Sequence, residues 1–390
     1  MVLGRKKTFN CASNIEYKLN NMFPIASLGG FAGNKEKKTL RSAQELVDAG
    51  LMDSEHIDAV NEMAKRYAIA MTPDMRDLAK QGHDLQGNDW KNDPIAKQFV
   101  PDLREMTILP QELPDPIGDY NHSPFKALVH RHKNRVLLKP TNVCAVYCRF
   151  CFRREMVGPE GDSISQSDVD AALDYIAEHS EISEVILTGG DPLMLSIRRL
   201  EPLMQRLHAI PHLRYIRFHT RIPVVAPAKI SDEIVAILHG DKRVIMAIHA
   251  NHAREFTADA SAALNKLANK GIMLLGQSVL LKGINDNVSA LADLCETMLD
   301  NHIKPYYLHH PDLTTGTSHF RMSFESGMAL MDELRQRVSG IAVPQYTLDI
   351  PGGVSKIAIT SANVMAVKDK PGHYVLRDIF GQMHEYADVI

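Results

Sequence analysis

The run Cys144-Ala145-Val146-Tyr147-Cys148-Arg149-Phe150-Cys151 gathers three of the chain's five cysteines into eight residues. Cysteines kept only for packing seldom fall so close together, and C-x3-C-x2-C is a ligand spacing. Three thiolates suit an iron–sulfur cluster whose fourth iron has no protein ligand, whereas a structural zinc site closes with four. A zinc site completed by a histidine and an inert trio of buried thiols are the competing readings, and no C-x2-C partner pair stands elsewhere. Cys11 and Cys295 bring the total to an odd five, too few for a secreted disulfide framework. Cys295 falls on an amphipathic helical pattern and reads as a packing residue.

Outward from the cysteines the pattern is that of an α/β protein. Short β-prone runs lie at 135–138, 184–187, 215–218, 244–248, 273–275 and 306–308, the last five centred about 30 residues apart. Helical faces intervene, for example Val169, Leu173, Ile176 and Ala177, or Leu291, Leu294 and Met298. This alternation predicts βαβ units around a parallel sheet. Each strand is followed by chemical residues: the cysteines, then Gly189-Gly190-Asp191, His219 and Arg221, His249 and Asn251, Gln277, and His309 with Asp312. A ring of such groups at the C-terminal mouth is a barrel feature. Six strands are fewer than the eight of a closed barrel, so the expected fold is an open, partial, TIM-like (β/α)6 barrel.

The expected organisation is a flexible extension over 1–38, an N-terminal helical and wrapping region over 39–130, the partial barrel over 131–340 and a C-terminal segment over 341–390. In the extension, Pro24 and Gly29-Gly30 interrupt the only stretch resembling a signal peptide. Ser42 and Glu45 form a capping box, Gly50 is placed to stop that helix, a second helix is expected from 54 to 67, and Pro73 opens a third. Residues 88–124 are proline-rich and aperiodic, a wrapping segment.

Composition removes whole classes of function. With 44 Lys and Arg against 47 Asp and Glu, the net charge of −3 argues against a nucleic-acid surface. Hydrophobic residues at 45% and charged residues at 23% describe an ordinary globular chain, and no stretch has the roughly 20 apolar residues of a membrane span. A cluster on these cysteines requires a reducing, oxygen-poor interior, so the expected location is cytoplasmic.

The spacing, with an aromatic residue before the third cysteine, resembles the radical S-adenosylmethionine superfamily. Five runs together are similar to the lysine 2,3-aminomutase family: Thr141-Asn142-Val143-Cys144, Cys148 to Arg154, Gln277 to Leu281, Pro305-Tyr306-Tyr307 and Pro351-Gly352-Gly353-Val354-Ser355-Lys356. The likeness covers about 39–390. It implies a [4Fe–4S] cluster on Cys144, Cys148 and Cys151, S-adenosylmethionine and pyridoxal 5′-phosphate as cofactors, and conversion of L-lysine to β-lysine by radical 1,2-amino migration.

The same resemblance implies roles residue by residue. Lys356 would be the Schiff-base lysine, on a loop that Gly352 and Gly353 make flexible. Arg131 and Arg135 would hold the pyridoxal phosphate group. Gly189, Gly190 and Asp191 match the segment that binds the methionyl amino group of S-adenosylmethionine, and His249 and Gln277 match residues of its nucleoside pocket. Arg153 would bind the substrate carboxylate, and Asp312 and Asp349 its distal ammonium, a charge pattern that repels glutamate. Family members with additional cysteines bind zinc; this chain has none after Cys295, so no structural zinc is expected. The expected partners are the small-molecule substrate, a reductant such as flavodoxin or ferredoxin, and further copies of the chain as a homo-oligomer, with no nucleic acid and no membrane. Two alternatives stand beside this reading: an aminomutase acting on a protein-bound lysine of the elongation factor P type, and a non-catalytic, metal-stabilised binding module.

Overall fold

The computed structural model describes residues 38–86, 89–159, 161 and 163–388. Cys11 and nearly all of the expected extension lie outside the described residues.

Nine strands form one sheet in chain order: β1 (Leu128–His132), β2 (Arg135–Thr141), β3 (Glu184–Gly189), β4 (Tyr215–Thr220), β5 (Arg243–His249), β6 (Met273–Val279), β7 (Ile303–His309), β8 (Gln345–Asp349) and β9 (Lys356–Ala358). Neighbours from β2 to β8 pair in parallel, while β1 and β9 add antiparallel edges. The first and last strands are not paired, so the sheet is an incomplete barrel. All six expected strands are present. The parallel run continues one strand further than expected, because Gln345–Asp349 joins β7 in parallel. Arg131, expected just ahead of the first strand, sits within the additional strand β1, whose hairpin partner begins at Arg135.

Helices cross between the parallel strands and bury the outer face of the sheet. In Gln166–Glu178, Ser165 caps the first turn and Asp168 reaches back to the Ser165 amide, while Val169, Ala172, Leu173 and Ile176 are buried. Ala177, expected on that face, is exposed; Ala172 takes the place beside Leu173. In Val288–Asp300 the Asn287 side chain caps the helix, and Leu291, Leu294, Cys295 and Met298 face inward. Strand alternation does the complementary work. On β4, Ile216, Phe218 and Thr220 are buried against helices, which turns Arg217 and His219 to the concave side.

The N-terminal region follows its capping signals. The Ser42 hydroxyl accepts from the Glu45 amide at 3.2 Å, but the Glu45 carboxylate takes the Arg41 amide in the returning half of the box. Gly50 adopts φ +71° where the chain turns out of that helix. A helix Pro73–Gln86 follows. After β9 a small antiparallel sheet forms from β10 (Val364–Ala366), β11 (His373–Arg377) and β12 (Met383–Ala387). No helix among the described residues is long and apolar enough to cross a membrane.

Candidate active site

The cysteine loop leaves β2 at the C-terminal mouth and is clamped from two sides. Below it, the Gly190 amide donates to the Thr141 carbonyl at 2.8 Å and the Asp191 amide to the Val143 carbonyl at 2.9 Å. A Cβ on Gly190 would stand 2.5 Å from the Val143 oxygen, so only glycine lets these backbones approach. Above it, Arg149 bonds Glu105 through two nitrogens at 2.9 and 2.6 Å, and Arg154 pairs with the same carboxylate. Burial would raise the Glu105 carboxyl, but the two arginines outweigh it and hold it below the ordinary value. The wrapping segment therefore contributes the anchor that fixes this loop.

The three thiols are partly enclosed. Burial pushes Cys144 well up and, with Cys148 adding to it, Cys151 up to about 11. Protein groups alone therefore do not stabilise the Cys144 and Cys151 thiolates; a bound cation would. Among the described residues, the one group of three or more ligand atoms lying within 4.8 Å of one another is Asp53, Glu55 and His56, so at least one pair of the three sulfurs stands further apart than that. One zinc at about 2.3 Å from each sulfur needs them within about 4.6 Å of each other. Sulfurs spread over a polynuclear cluster fit the observed setting. Arg221 donates to Cys148 Sγ at 2.9 Å and is itself held by Glu255 at 2.8 Å and by the Gln98 side-chain oxygen Oε1.

A cavity of about 560 Å³ fills the concave side of the sheet. It brings together Cys148, Cys151, Arg153, Arg131, Arg135, His219, His249, Gln277, Asp312, Asp349 and Lys356. Cys144 and the segment Gly189-Gly190-Asp191 do not line it. The Asp191 carboxylate is turned into the protein, where it accepts from the Arg221 amide at 2.7 Å, the Thr220 hydroxyl and the Leu193 amide. Its connection to the cavity is indirect, through the cysteine loop and Arg221.

Asp119, from the wrapping segment, orients two of the arginines of the wall. Its carboxylate takes Arg153 Nε at 2.8 Å and Arg131 Nη2 at 3.0 Å, and Arg153 also reaches the Thr188 hydroxyl at 3.0 Å. Burial opposes its ionisation, but Arg153 and Arg131 keep it below the ordinary range. Arg131 donates in addition to the Ile117 carbonyl at 2.6 Å. Gly353, at φ +77°, lies against Arg131: a Cβ there would come within 2.5 Å of Nε. The backbone of the loop before Lys356 thus packs directly against the Arg131 guanidinium.

At the far edge of the sheet, β8 and β9 set Asp349 opposite Lys356, and the two form an ion pair. Lys356 Nζ also lies 3.3 Å from His309 Nδ1 and 5.3 Å from the centre of the Tyr307 ring. Asp312 lines the cavity, and burial and then the neighbouring Asp349 raise its carboxyl to about 7. His219 and His309 are held neutral by burial, then by Arg217 and by Lys356 respectively, and His249 is pushed down to about 3 by burial and Arg221. His219 Nε2 is buried without a hydrogen-bond partner among the described residues. A bulge between Gly276 and Gln277 pairs Gly276 with Pro305 and Gln277 with Tyr307, so Tyr306 is extra and both tyrosines line the cavity.

Sequence reasoning missed Asp119, Arg217 and the two-tyrosine bulge. Arg217 is detectable by strand alternation with His219; it forms an ion pair with Glu184 on β3 at 2.9 Å. Asp119 carries no local signal.

An open parallel barrel with a three-cysteine loop at its mouth defines a radical S-adenosylmethionine enzyme, and the Radical SAM superfamily profile matches residues 138–295. Such an enzyme uses a [4Fe–4S] cluster and S-adenosylmethionine. Over 90% of its length the chain is 34% identical to L-lysine 2,3-aminomutase of Fusobacterium nucleatum, covering 81% of that protein. It is 33% identical to L-lysine 2,3-aminomutase of Clostridium subterminale, over 91% of this chain and 83% of the relative. A glutamate 2,3-aminomutase of Clostridioides difficile is 36% identical over 68% of this chain and 62% of its own length. The chain belongs to the lysine 2,3-aminomutase family; it is a radical aminomutase, an isomerase.

Proposed function

We propose that this enzyme converts free L-lysine to β-lysine. The observation that carries the reading is the pair Asp312 and Asp349 in one cavity with Arg153. Two carboxylates suit a substrate with a distal ammonium and repel one with a distal carboxylate, while a guanidinium beside the cysteine loop suits the α-carboxylate. The glutamate-specific relative makes this charge pattern the deciding feature.

Pyridoxal phosphate fits the residues present. Lys356 offers the amine, Arg131 and Arg135 the cations for a phosphate, and Gly353 the close approach that joins the two. The cofactor, when bound, supplies a carbonyl to hold the migrating nitrogen and a ring to delocalise the unpaired electron, and the cluster with S-adenosylmethionine supplies hydrogen-atom abstraction. Cys144, Cys148 and Cys151 hold the cluster; His249 and Gln277 line the nucleoside side; Gly189, Gly190 and Asp191 hold the loop from beneath. The cavity wall orients the reacting groups and excludes water. The reducing conditions this requires agree with a cytoplasmic enzyme served by a reductant protein.

Anaerobic incubation with S-adenosylmethionine, a reductant and a panel including lysine and glutamate tests the assignment. Formation of β-lysine is the expected result; β-glutamate, or no β-amino acid from an enzyme with a full cluster, would overturn it.

A further inference from the structure

A second groove, of about 860 Å³, shares no lining residue with the cavity. Lys91, Lys97, Arg104 and Lys282 line it against Asp102 and Asp286. Arg104 pairs with Asp102 and Lys91 with Asp53, each at 2.6 Å. Lys97 is steered into the groove by the Gly283 carbonyl at 3.3 Å, and Lys282 is exposed beside it. The rim adds apolar contact area: Leu103 is 39% and Met106 55% exposed on the adjoining loop.

The floor of this groove reaches the cysteine loop in one layer of side chains. Phe320 lines the groove, and its ring stands edge-on to Phe150 with centroids 6.1 Å apart. Phe150 lies between Cys148 and Cys151 in sequence, lines the cavity, and packs with Leu281, Ile284 and Phe320 in one apolar cluster that also contacts Cys148. A polar route runs in parallel: Gln98, next to Lys97, accepts from Arg221, which donates to Cys148 Sγ at 2.9 Å.

We infer that this groove is the docking surface for the protein that reduces the cluster, an acidic one-electron carrier whose redox group meets the Phe320 floor. The inference rests on the cluster reading above. The step moves one electron from the reduced carrier to the oxidised [4Fe–4S]²⁺ cluster, giving [4Fe–4S]⁺ and a carrier oxidised by one electron; no bond or proton moves. Electron-transfer encounters are small and steered by opposite charge, which suits a cationic rim around an apolar centre. Entry here leaves the substrate cavity undisturbed.

Stopped-flow reduction of the reconstituted holoenzyme by reduced flavodoxin, followed by bleaching of the cluster absorbance, tests it. Lys97→Glu with Lys282→Glu is expected to slow reduction by flavodoxin by about tenfold or more and to flatten its salt dependence. Lys282→Ala alone, the gentler change, is expected to give a smaller loss in the same direction. Reduction by dithionite should stay within about twofold of wild type, since a small reductant needs no docking site. Unchanged flavodoxin rates would overturn the proposal, as would equal slowing with both reductants. So would a shifted sedimentation coefficient with unchanged rates, which would make the groove a contact between copies of the chain. A wild-type protein that assembles no dithionite-reducible cluster would instead refute the cluster reading, and this inference with it.

Discussion

Asp349 and Lys356 stand directly opposite one another on the antiparallel pair β8 and β9 and are joined by an ion pair. The hairpin between them contains Gly352 and Gly353, both at positive φ, so Lys356 opens β9 just after a turn that few other residues permit. If Lys356 carries pyridoxal phosphate, borohydride treatment of the holoenzyme should leave a pyridoxyl group on the peptide containing Lys356. Lys356→Ala should show no such adduct while retaining its iron. A pyridoxyl group on a different lysine would remove Lys356 from its role.

Asp312 gives a pH dependence with a definite sign. Its carboxyl is raised from 3.8 to about 7, first by burial and then by Asp349. Between those values the folded state holds a proton the unfolded chain has released, so stability falls as pH rises from about 4 to about 7. Asp312→Asn removes that charge and should raise stability by roughly 1–3 kcal/mol at pH 8, with the gain closing toward pH 4. Lysine binding by wild type should move the opposite way, weakening as pH drops below about 7 and Asp312 loses its charge. Thermal unfolding of both proteins across this range checks the first statement. A gain that does not change with pH would mean that Asp312 is not titrating there.

The strands from β2 to β7 were legible because each pairs a β-prone run with chemical residues at one end. The cysteine loop was legible because its ligands are contiguous. Contacts spread across the chain were not. Asp119 meets Arg131 and Arg153 at separations of 12 and 34 residues, and nothing in the proline-rich stretch around it marks it as the counter-ion of the cavity wall. Strand β8 was hidden because Gln345–Asp349 is short and its parallel partner, β7, ends 36 residues earlier at His309. Asp312 and Asp349 were read from family resemblance, but their proximity is a consequence of that unpredicted strand. Asp191 shows the opposite case: a motif residue visible in the sequence whose carboxylate the fold spends on Thr220 and the Arg221 amide.

Removing Asp119 should be costly in a way its position in a wrapping segment does not suggest. The residue is fully buried and neutralises two guanidiniums, so Asp119→Ala leaves Arg131 and Arg153 without their shared carboxylate. Loss of one member of a buried ionic group typically destabilises by about 3–5 kcal/mol. Arg135→Ala, at the partly exposed start of β2, should cost under about 1 kcal/mol. Urea unfolding of the two variants compares them directly. A small effect for Asp119→Ala would mean that water replaces its carboxylate and that the arginines are not preorganised by it.

The glycine beneath the cysteine loop offers a test of loop positioning that leaves every ligand in place. A Cβ at Gly190 would meet the Val143 oxygen at 2.5 Å, the Asn142 carbonyl carbon at 2.6 Å and the Val143 nitrogen at 2.7 Å, all backbone atoms just before Cys144. Since backbone cannot yield as a flexible side chain does, Gly190→Ala should displace the Cys144 end of the loop and cost about 1–3 kcal/mol. Gly271 makes a useful control. It has φ +74° with nothing within 4 Å of an added Cβ, so Gly271→Ala carries only the backbone penalty of about 1 kcal/mol and lies away from the cysteines. After anaerobic reconstitution, iron and sulfide per chain should fall in Gly190→Ala and match wild type in Gly271→Ala, although both unfold earlier on heating. Equal iron in the two variants would show that the loop accommodates the methyl group without moving a sulfur, and would leave Gly190 with no part in holding the cluster site.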